Sequence, residues 1–416
     1  MFDYTLVNFF QDNMPTFLGM KNYPVSDIKI ARNRCAKVLT TYKYPLPPLH
    51  EECIMSIVIP VYDESTTRLR DQLRSINAQT VNATQCEIVY IVNNGDRATT
   101  PKPVLAANDK ALAFLKKAKS RIPLIVLDYT SKGHELEVGN VGNARNTAIH
   151  LVAQRYLNQN RDGILFQTDA DTLLTSNRLL SSMIADYKKY GCIGASGGVR
   201  FVLSMDSRKK QDQLFYKRHL RDFNMFAQWG YLIKALHNRK LAPPVTPTRF
   251  SGANMSSLVI AAVCAGGVPK LHRGVDLYFG EKLELYAKKR NALILPRRDK
   301  WIVQTSFRES TRTGSSFGGA FSYMRHHNGR PLVTPMTTPA FHTFLKRQLA
   351  KKKPPLKKKD MARFEAEMQE EYQKRYPKVP ISHASFKALK EKIYKDVKRR
   401  AYAENAIKYF ATFHLK

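Results

Sequence analysis

Between residues 54 and 166, short apolar runs alternate with longer segments whose apolar residues recur at helical spacing. Ile54–Tyr62 (IMSIVIPVY) is a near-continuous apolar run, the pattern of a central parallel strand covered on both faces. Ile88–Val92, Leu124–Leu127 and Ile164–Phe166 repeat it. Between them, Glu64–Gln79 carries Leu69, Leu73, Ile76 and Ala78 among Arg and Gln, Ala106–Lys119 has a basic face, and Gly139–Gln159 turns helical through Ala144, Ala148 and Leu151. Strand and helix in alternation predict an α/β domain with a mainly parallel sheet. Further on, the pattern predicts a helix at Leu179–Tyr190, a Gly-containing strand at Ile193–Val202, a basic, aromatic-rich helical region at Lys209–Asn238, a loop entering a helix at His272–Lys289, and a short strand at Leu293–Pro296.

Polar clusters follow the strands: Tyr62–Glu64, Asn93–Gly95 and Asp169–Asp171. Ligands in open α/β sheets bind outside the carboxyl ends of the strands, although turns are polar in any case. In GILFQTDAD (Gly163–Asp171), two carboxylates leave a strand one residue apart. That spacing can present both to one hard cation such as Mg²⁺ or Mn²⁺. The same residues also suit an Asp-rich turn ahead of the helix that begins near Ser176, and the motif alone does not choose between the two.

Composition adds scale and a partner class. A chain of 416 residues with 43% hydrophobic content predicts two or three modules around real cores. Residues 1–52 read as an accessory segment whose tail, YKYPLPPLHEE, is an extended proline-rich linker; residues 53–335 are the α/β domain; residues 336–416 are a polar, basic, helical region. The five cysteines are scattered without a CxxC, which fits buried thiols in a reducing compartment and argues against a disulfide framework or zinc site. MFDYTLVNFFQDNM lacks a basic n-region, and the longest apolar run, Leu258–Val268, is too short to span a bilayer. The expectation is a soluble, cytoplasmic protein, at most attached to a membrane surface. The formal net charge of +34, from 68 Lys+Arg against 34 Asp+Glu, predicts attraction to polyanions.

Taken in order, Ile57-Val58-Ile59-Pro60-Val61-Tyr62-Asp63-Glu64, Val92-Asn93-Asn94-Gly95, Gly142-Asn143-Ala144-Arg145-Asn146, Thr168-Asp169-Ala170-Asp171, Gly252-Ala253-Asn254, Gly266-Gly267 and Val275-Asp276-Leu277-Tyr278-Phe279-Gly280 resemble the motifs of family 2 glycosyltransferases with the GT-A fold, over roughly residues 54–320. The resemblance implies a GT-A fold with a donor half at about 53–172, an acceptor half at about 173–335 and a basic helical C-terminal extension. It also implies inverting transfer of a sugar from a nucleotide diphosphate sugar, a UDP-sugar above all, with Mn²⁺ or Mg²⁺. Pro60, Tyr62 and Glu64 would border the nucleoside. Asn93 and Asn94 stand where the family often has an aspartate that meets the base or ribose, and an amide can still bond a base edge as donor and acceptor. Arg145 and Asn146, at a helix start, would meet the nucleotide or a phosphate, with a surface salt bridge as the alternative for Arg145. Asp171 would bind metal and diphosphate, and Asp169 the ribose or a shared metal. Asp276 would be the general base, with a helix N-cap as the plainer reading. Arg308 and Arg312, with the Gly314–Ser316 loop, would close over the diphosphate. His326 and His327 are candidates for a further metal ligand or for a surface role.

The acceptor is read from charge. Lys217, Arg218, Arg221 and Trp229 lie in a stretch that interleaves basic and aromatic residues, suited to phosphate contact and base stacking and equally to an amphipathic helix burying its aromatics. The leading expectation is a nucleic-acid acceptor, such as a hydroxymethylated DNA base. The alternatives are a lipid-linked or surface polymer reached from an anionic membrane surface, and a non-catalytic nucleic-acid-binding protein that keeps the fold.

Overall fold

Strand β1 (Met55–Val61) is buried along its whole length and lies between two parallel neighbours, β2 (Cys86–Asn93) and β4 (Ile164–Gln167), with β3 (Leu124–Tyr129) parallel to β2 beyond. The sheet continues past β4 through β7 (Met255–Leu258), β6 (Gly194–Leu203), β8 (Arg298–Phe307) and β5 (Thr172–Leu174), in the order β3-β2-β1-β4-β7-β6-β8-β5, with β4–β7, β7–β6 and β8–β5 paired antiparallel. This is the mixed α/β architecture expected from the sequence. The computed structural model describes residues 19–20, 23–39, 46–203, 250–270, 275–295 and 298–307. Nearly all of these fall in one unit, Met1–Val202 with Thr248–Ser306; a second unit comprises Leu203–Pro247 and Phe307–Lys416. The expected Lys209–Asn238 helical region, the Arg308–Gly319 loop and the 336–416 extension lie outside the described residues.

The chain leaves β1 toward β2 and β3 and returns on the other side to β4, so the β1–β4 boundary is a topological switch point. Pro60 is tolerated in this central strand for a local reason. Thr168 N–H reaches the Val58 carbonyl at 3.2 Å, so Val58 and, two residues on, Pro60 face β4. The β1–β4 register ends at Val58 opposite Gln167, so the missing proline N–H falls where β4 has already left the sheet.

Helix α1 (Val25–Leu39) precedes the sheet, and α2 (Thr66–Asn77), α3 (Lys102–Lys117) and α4 (Val141–Asn158) link the parallel strands. Then come α5 (Leu179–Tyr190), α6 (Val259–Cys264) and α7 (Val275–Arg290). Ser65 caps α2 and Asn140 caps α4 through side-chain oxygens. Gly191, at φ 57°, ends α5 in the left-handed conformation that glycine adopts without strain. Helix α4 is buried on almost every side, because α1 and α6 cover what β1 and β2 do not.

The described part of residues 1–52 is bonded to the sheet and its helices. The Tyr23 hydroxyl donates to Asp162 at 2.6 Å, and the Asp27 carboxylate accepts from Tyr286 at 2.5 Å and from Arg290. Arg34 donates to the Val263 and Cys264 carbonyls at the end of α6. The proline-rich stretch is strapped down as well. Arg155 donates to the carbonyls of Pro47 and Pro48 at 2.8 and 3.1 Å, Gln159 to Leu49 at 2.6 Å, and Arg161 to His50 and Cys53. Extended proline segments leave their carbonyls unpaired, and long donors on α4 and just after it supply the partners.

Two further expectations change. Of the expected Leu293–Pro296 strand, the described residues Leu293–Leu295 hold a single bridge, Ile294 to Gly194, and a strand follows at β8. There Trp301, Val303 and Thr305 are buried in alternation with half-buried Ile302 and Gln304, a period-two pattern behind a charged lead-in. The apolar run Leu258–Val268 divides into the end of β7, the short α6, and a Gly266-Gly267 corner with φ of 100° and 62°. No described helix is long and apolar enough to cross a membrane. Burial pushes all five thiols up, Cys35 and Cys53 to about 12, so they are protonated core groups rather than nucleophiles.

Arg155 also pairs in the core with Glu87, one Nη reaching both carboxylate oxygens at 2.7 Å, while Ser56 donates to the same carboxylate at 2.6 Å. Replacing Arg155 with Ala strands a buried carboxylate, and denaturant unfolding is expected to show a loss of about 3–5 kcal/mol. A loss below about 1 kcal/mol would mean that water reaches Glu87. Asp162 is the second case. Burial raises its carboxyl from the ordinary 3.8 to about 6, against hydrogen bonds from Tyr23 and the backbone of Ile260, Gly163 and Val259. Between about pH 4 and pH 6 the folded protein therefore holds a proton that the unfolded chain has released, and stability falls as pH rises through that window. Asp162→Asn is expected to flatten the wild-type stability–pH curve there by about 2–3 kcal/mol, read from urea midpoints across the window.

Candidate active site

The site is built where β4 runs out. After Gln167 the chain turns, and Thr168 is fixed by its hydroxyl on the Ala253 carbonyl at 2.8 Å. The Asp169 carbonyl accepts from Thr172 N–H at 3.1 Å, closing a tight turn, and from the buried Gln72 side chain of α2. Gln72 in turn accepts from the Tyr90 hydroxyl of β2 at 3.0 Å. β5 then starts at Thr172, paired with Thr305 of β8. Asp186 of α5 anchors β8 through Arg298 at 3.0 Å and Lys300 at 2.8 Å.

Each carboxylate on this turn has a dedicated holder. Asp169 pairs with Arg145, whose guanidinium is buried. Asp171 accepts the Thr305 hydroxyl at 3.1 Å on one oxygen and the Ser306 hydroxyl on the other. Asp276, in the first turn of α7, accepts Gly252 N–H at 3.0 Å on Oδ2 and Leu277 N–H at 3.0 Å on Oδ1. The Gly252 carbonyl accepts from Arg145 at 2.8 Å, so one glycine touches both the Arg145–Asp169 pair and Asp276. The Asp169 carboxyl is raised above its ordinary range, first by enclosure and then by the negative charges of Asp171 and Asp276, with Arg145 opposing.

Mutual repulsion among carboxylates is relieved by a cation, and hard carboxylate oxygens on a half-open turn fit Mg²⁺ or Mn²⁺. Among the described residues no group of three or more His, Cys, Asp or Glu side chains forms a complete ligand set. A cation at Asp171 would therefore complete its shell with phosphate and water oxygens, as Mg²⁺ does elsewhere.

The other expected site residues are distributed unevenly. Pro60 is buried inside β1. Tyr62 is half-buried, and buried Glu64 pairs with Arg68 at 3.1 Å. Asp63 between them takes φ 53°, its N–H held by Asn108 at 2.8 Å. Asn94 is fully enclosed and works as loop scaffolding rather than an open base contact: it accepts from Asn108 at 3.3 Å and from Thr130, and donates to the Gly95 carbonyl at 2.8 Å. The loops over it cross at two glycines, where a Cβ on Gly139 would lie 2.0 Å from the Gly95 nitrogen. Asn93 is buried too, and neither polar atom of its side chain has a partner among the described residues.

Arg145 and Asn146 do not sit at an open helix end. Asn140 caps α4 and takes the Asn143 N–H at 2.7 Å, which leaves Arg145 as the fifth helical residue, turned inward. The Asn146 side chain lies against Gly267, where a Cβ would come within 2.1 Å of its oxygen, and its carbonyl meets the His150 ring at 2.6 Å. Arg308, Arg312, Lys217, Arg218, Arg221, Trp229, His326 and His327 lie outside the described residues. Sequence reasoning missed Gln72, Thr305 and Ser306. A glutamine among Leu69, Leu73 and Ile76 on the core face of α2 was the available signal for the first.

No family model matches the chain, and no curated protein matches it. Among solved structures, the chain is similar to the mannosyltransferase PcManGT from Pyrobaculum calidifontis, in complex with GDP-Man and Mn²⁺, at 13% identity, covering 94% of this chain and 96% of that one with a TM-score of 0.39. It is also similar to S. aureus TarS 1-349 in complex with UDP-GlcNAc, at 14% identity over 77% and 73% of the two chains and a TM-score of 0.37. It spans 43% of a longer TarS chain, with a TM-score of 0.34. Likeness at this level transfers neither activity nor substrate to this chain.

The clamp on the turn is testable by stability. Gln72→Leu is expected to cost about 1–3 kcal/mol, because the Tyr90 hydroxyl and the Asp169 carbonyl both lose a partner. Adding Tyr90→Phe removes the stranded hydroxyl and should restore part of that loss in thermal melts. A double variant no more stable than Gln72→Leu alone would rule out the Tyr90–Gln72–Asp169 chain as a stabilising unit.

Proposed function

We propose that this protein is a metal-dependent inverting glycosyltransferase that moves a sugar from a nucleotide diphosphate sugar, best a UDP-sugar, to a hydroxyl of a polyanionic acceptor. One observation carries the reading: Asp169 and Asp171 leave β4 on one turn, and Gly252 joins the Arg145–Asp169 pair to Asp276 of a separate segment. Inverting transfer needs two separated functions, a holder for the leaving diphosphate and a base on the acceptor side. The β4–β5 turn suits the first and the start of α7 suits the second.

Asp171, fixed by Thr305 and Ser306, and Asp169, fixed by Arg145, would hold Mn²⁺ or Mg²⁺. When bound, such an ion offsets the charge that builds on a departing nucleotide diphosphate. Asp276 accepts the proton of the acceptor hydroxyl as that oxygen attacks the anomeric carbon from the face opposite the leaving group. Its two backbone N–H partners fix the orientation of the carboxylate. Asp276 is the second residue of α7 rather than its N-cap, and its carboxylate is held by Gly252 and by the next backbone N–H.

The net charge of +34 supports a polyanionic acceptor, and our best reading is a hydroxymethylated base of DNA, extruded from the stack to reach the donor. Mass spectrometry of a panel of nucleotide sugars with Mn²⁺, with and without hydroxymethylated DNA, is expected to show donor consumption and a hexose-sized mass gain on the DNA. Asp276→Asn should lower kcat by about 10²–10⁴-fold with donor affinity retained. Unaltered turnover in Asp276→Asn would remove it as the base. Absence of DNA binding in a low-salt electrophoretic titration would remove the acceptor assignment.

A further inference from the structure

The proposed chemistry gives the Arg145 guanidinium only the fixing of Asp169, although it is among the largest fully buried side chains of the described residues. Sealing that charge away from water costs several kcal/mol unless it is well paired. Its partners belong to separate pieces of chain. Besides Asp169, it faces the Gln167 side chain and the Thr168 carbonyl, each at 3.5 Å, at the exit of β4, and the Gly252 carbonyl at 2.8 Å ahead of β7. Gly252 then donates its own N–H to Asp276 at 3.0 Å. The result is one continuous path: Asp169, Arg145, Gly252, Asp276.

Gly252 matters here for its closeness rather than its conformation, since its φ is not among the positive values of the described glycines. A Cβ there would lie 3.3 Å from Arg145 Nη2, a slightly tight contact, and 3.5 Å from both Asp169 carboxylate oxygens, an ordinary one. The glycine backbone therefore lies directly against the charged, hydrogen-bonded ends of the pair. The planar fork of arginine matters for the same reason. One Nη2 group serves a carboxylate and a carbonyl in fixed directions, which a lysine ammonium on a flexible stem does not reproduce.

We infer that Arg145 is a positioning residue: through Gly252 it sets the place of the Asp276 carboxylate relative to Asp169, so that the acceptor-side base and the donor-side carboxylate move as one unit. The words donor and base rest on the function proposed above; the mechanical coupling does not.

The test uses the full chain labelled with ¹⁵N-glycine, the Gly252 amide being assigned by its loss in Gly252→Ala. An amide bound to a carboxylate resonates downfield, and Asp276→Asn should move it upfield. Arg145→Lys keeps the charge but not the fork, and it is expected to shift the Gly252 resonance while Gly191 and Gly133 stay in place. Should Arg145→Lys fail to fold, the isosteric Asp169→Asn loosens Arg145 from its other end and should shift the same resonance. In the donor assay, Arg145→Lys should lower kcat by about 10–100-fold with a far smaller change in KM. A Gly252 resonance unmoved in a folded Arg145→Lys or Asp169→Asn protein overturns the coupling. Since the resonance needs no donor, a wild-type protein that consumes no nucleotide sugar would defeat the proposed function while the coupling is still decided.

Discussion

A guanidinium enclosed at the carboxyl end of a parallel sheet constrains everything around it. Arg145 must find acceptors, and those within reach are the exit of β4 and the loop before β7. The two segments are drawn together at the switch point beside β1, where Pro60 has no N–H to continue the ladder and β4 turns away. The gap that opens there is lined by carboxylates, and Arg145 offsets their charge from inside. Carboxylate charge facing outward from the turn is what a hard cation there would offset.

The same need for partners organises the periphery. Helix α7 is fixed at both ends: near its start Asp276 takes the Gly252 N–H, and near its end Tyr286 and Arg290 reach Asp27 of α1. The N-terminal helix therefore helps to set the position of the candidate base. Arg155 and Arg161 do comparable work on the proline-rich stretch, giving its carbonyls the donors that no strand partner provides. Long polar side chains on α4 and just after it carry much of the connection between what precedes β1 and the sheet.

Local pattern was enough for most of the architecture. The apolar runs placed β1 to β4 within a few residues, the helix at Leu179–Tyr190 emerged with its observed bounds, and the two aspartates lie at a strand exit as their spacing suggested. What stayed hidden was non-local or hung on one cap. Arg145 faces inward because Asn140, not a later residue, begins α4, and motif spacing does not reveal that offset. β8 was missed because its buried Trp301, Val303 and Thr305 alternate with residues that look loop-like after Arg298-Asp299-Lys300. Bonds such as Arg155 to Pro47, 108 residues apart, leave no periodic trace. The enclosure of Asn94 likewise depends on two loops that meet only in the folded chain.

The most direct measurement is a calorimetric titration of the full chain with uridine diphosphate, in the presence and absence of Mn²⁺, for the wild type and for Asp171→Asn. A site that unites a cation with a diphosphate on the β4–β5 turn gives binding that requires Mn²⁺ and disappears in the variant. Binding of equal strength with and without the ion, in both proteins, would place the nucleotide elsewhere and contradict the proposed role of Asp169 and Asp171 as holders of the cation and diphosphate.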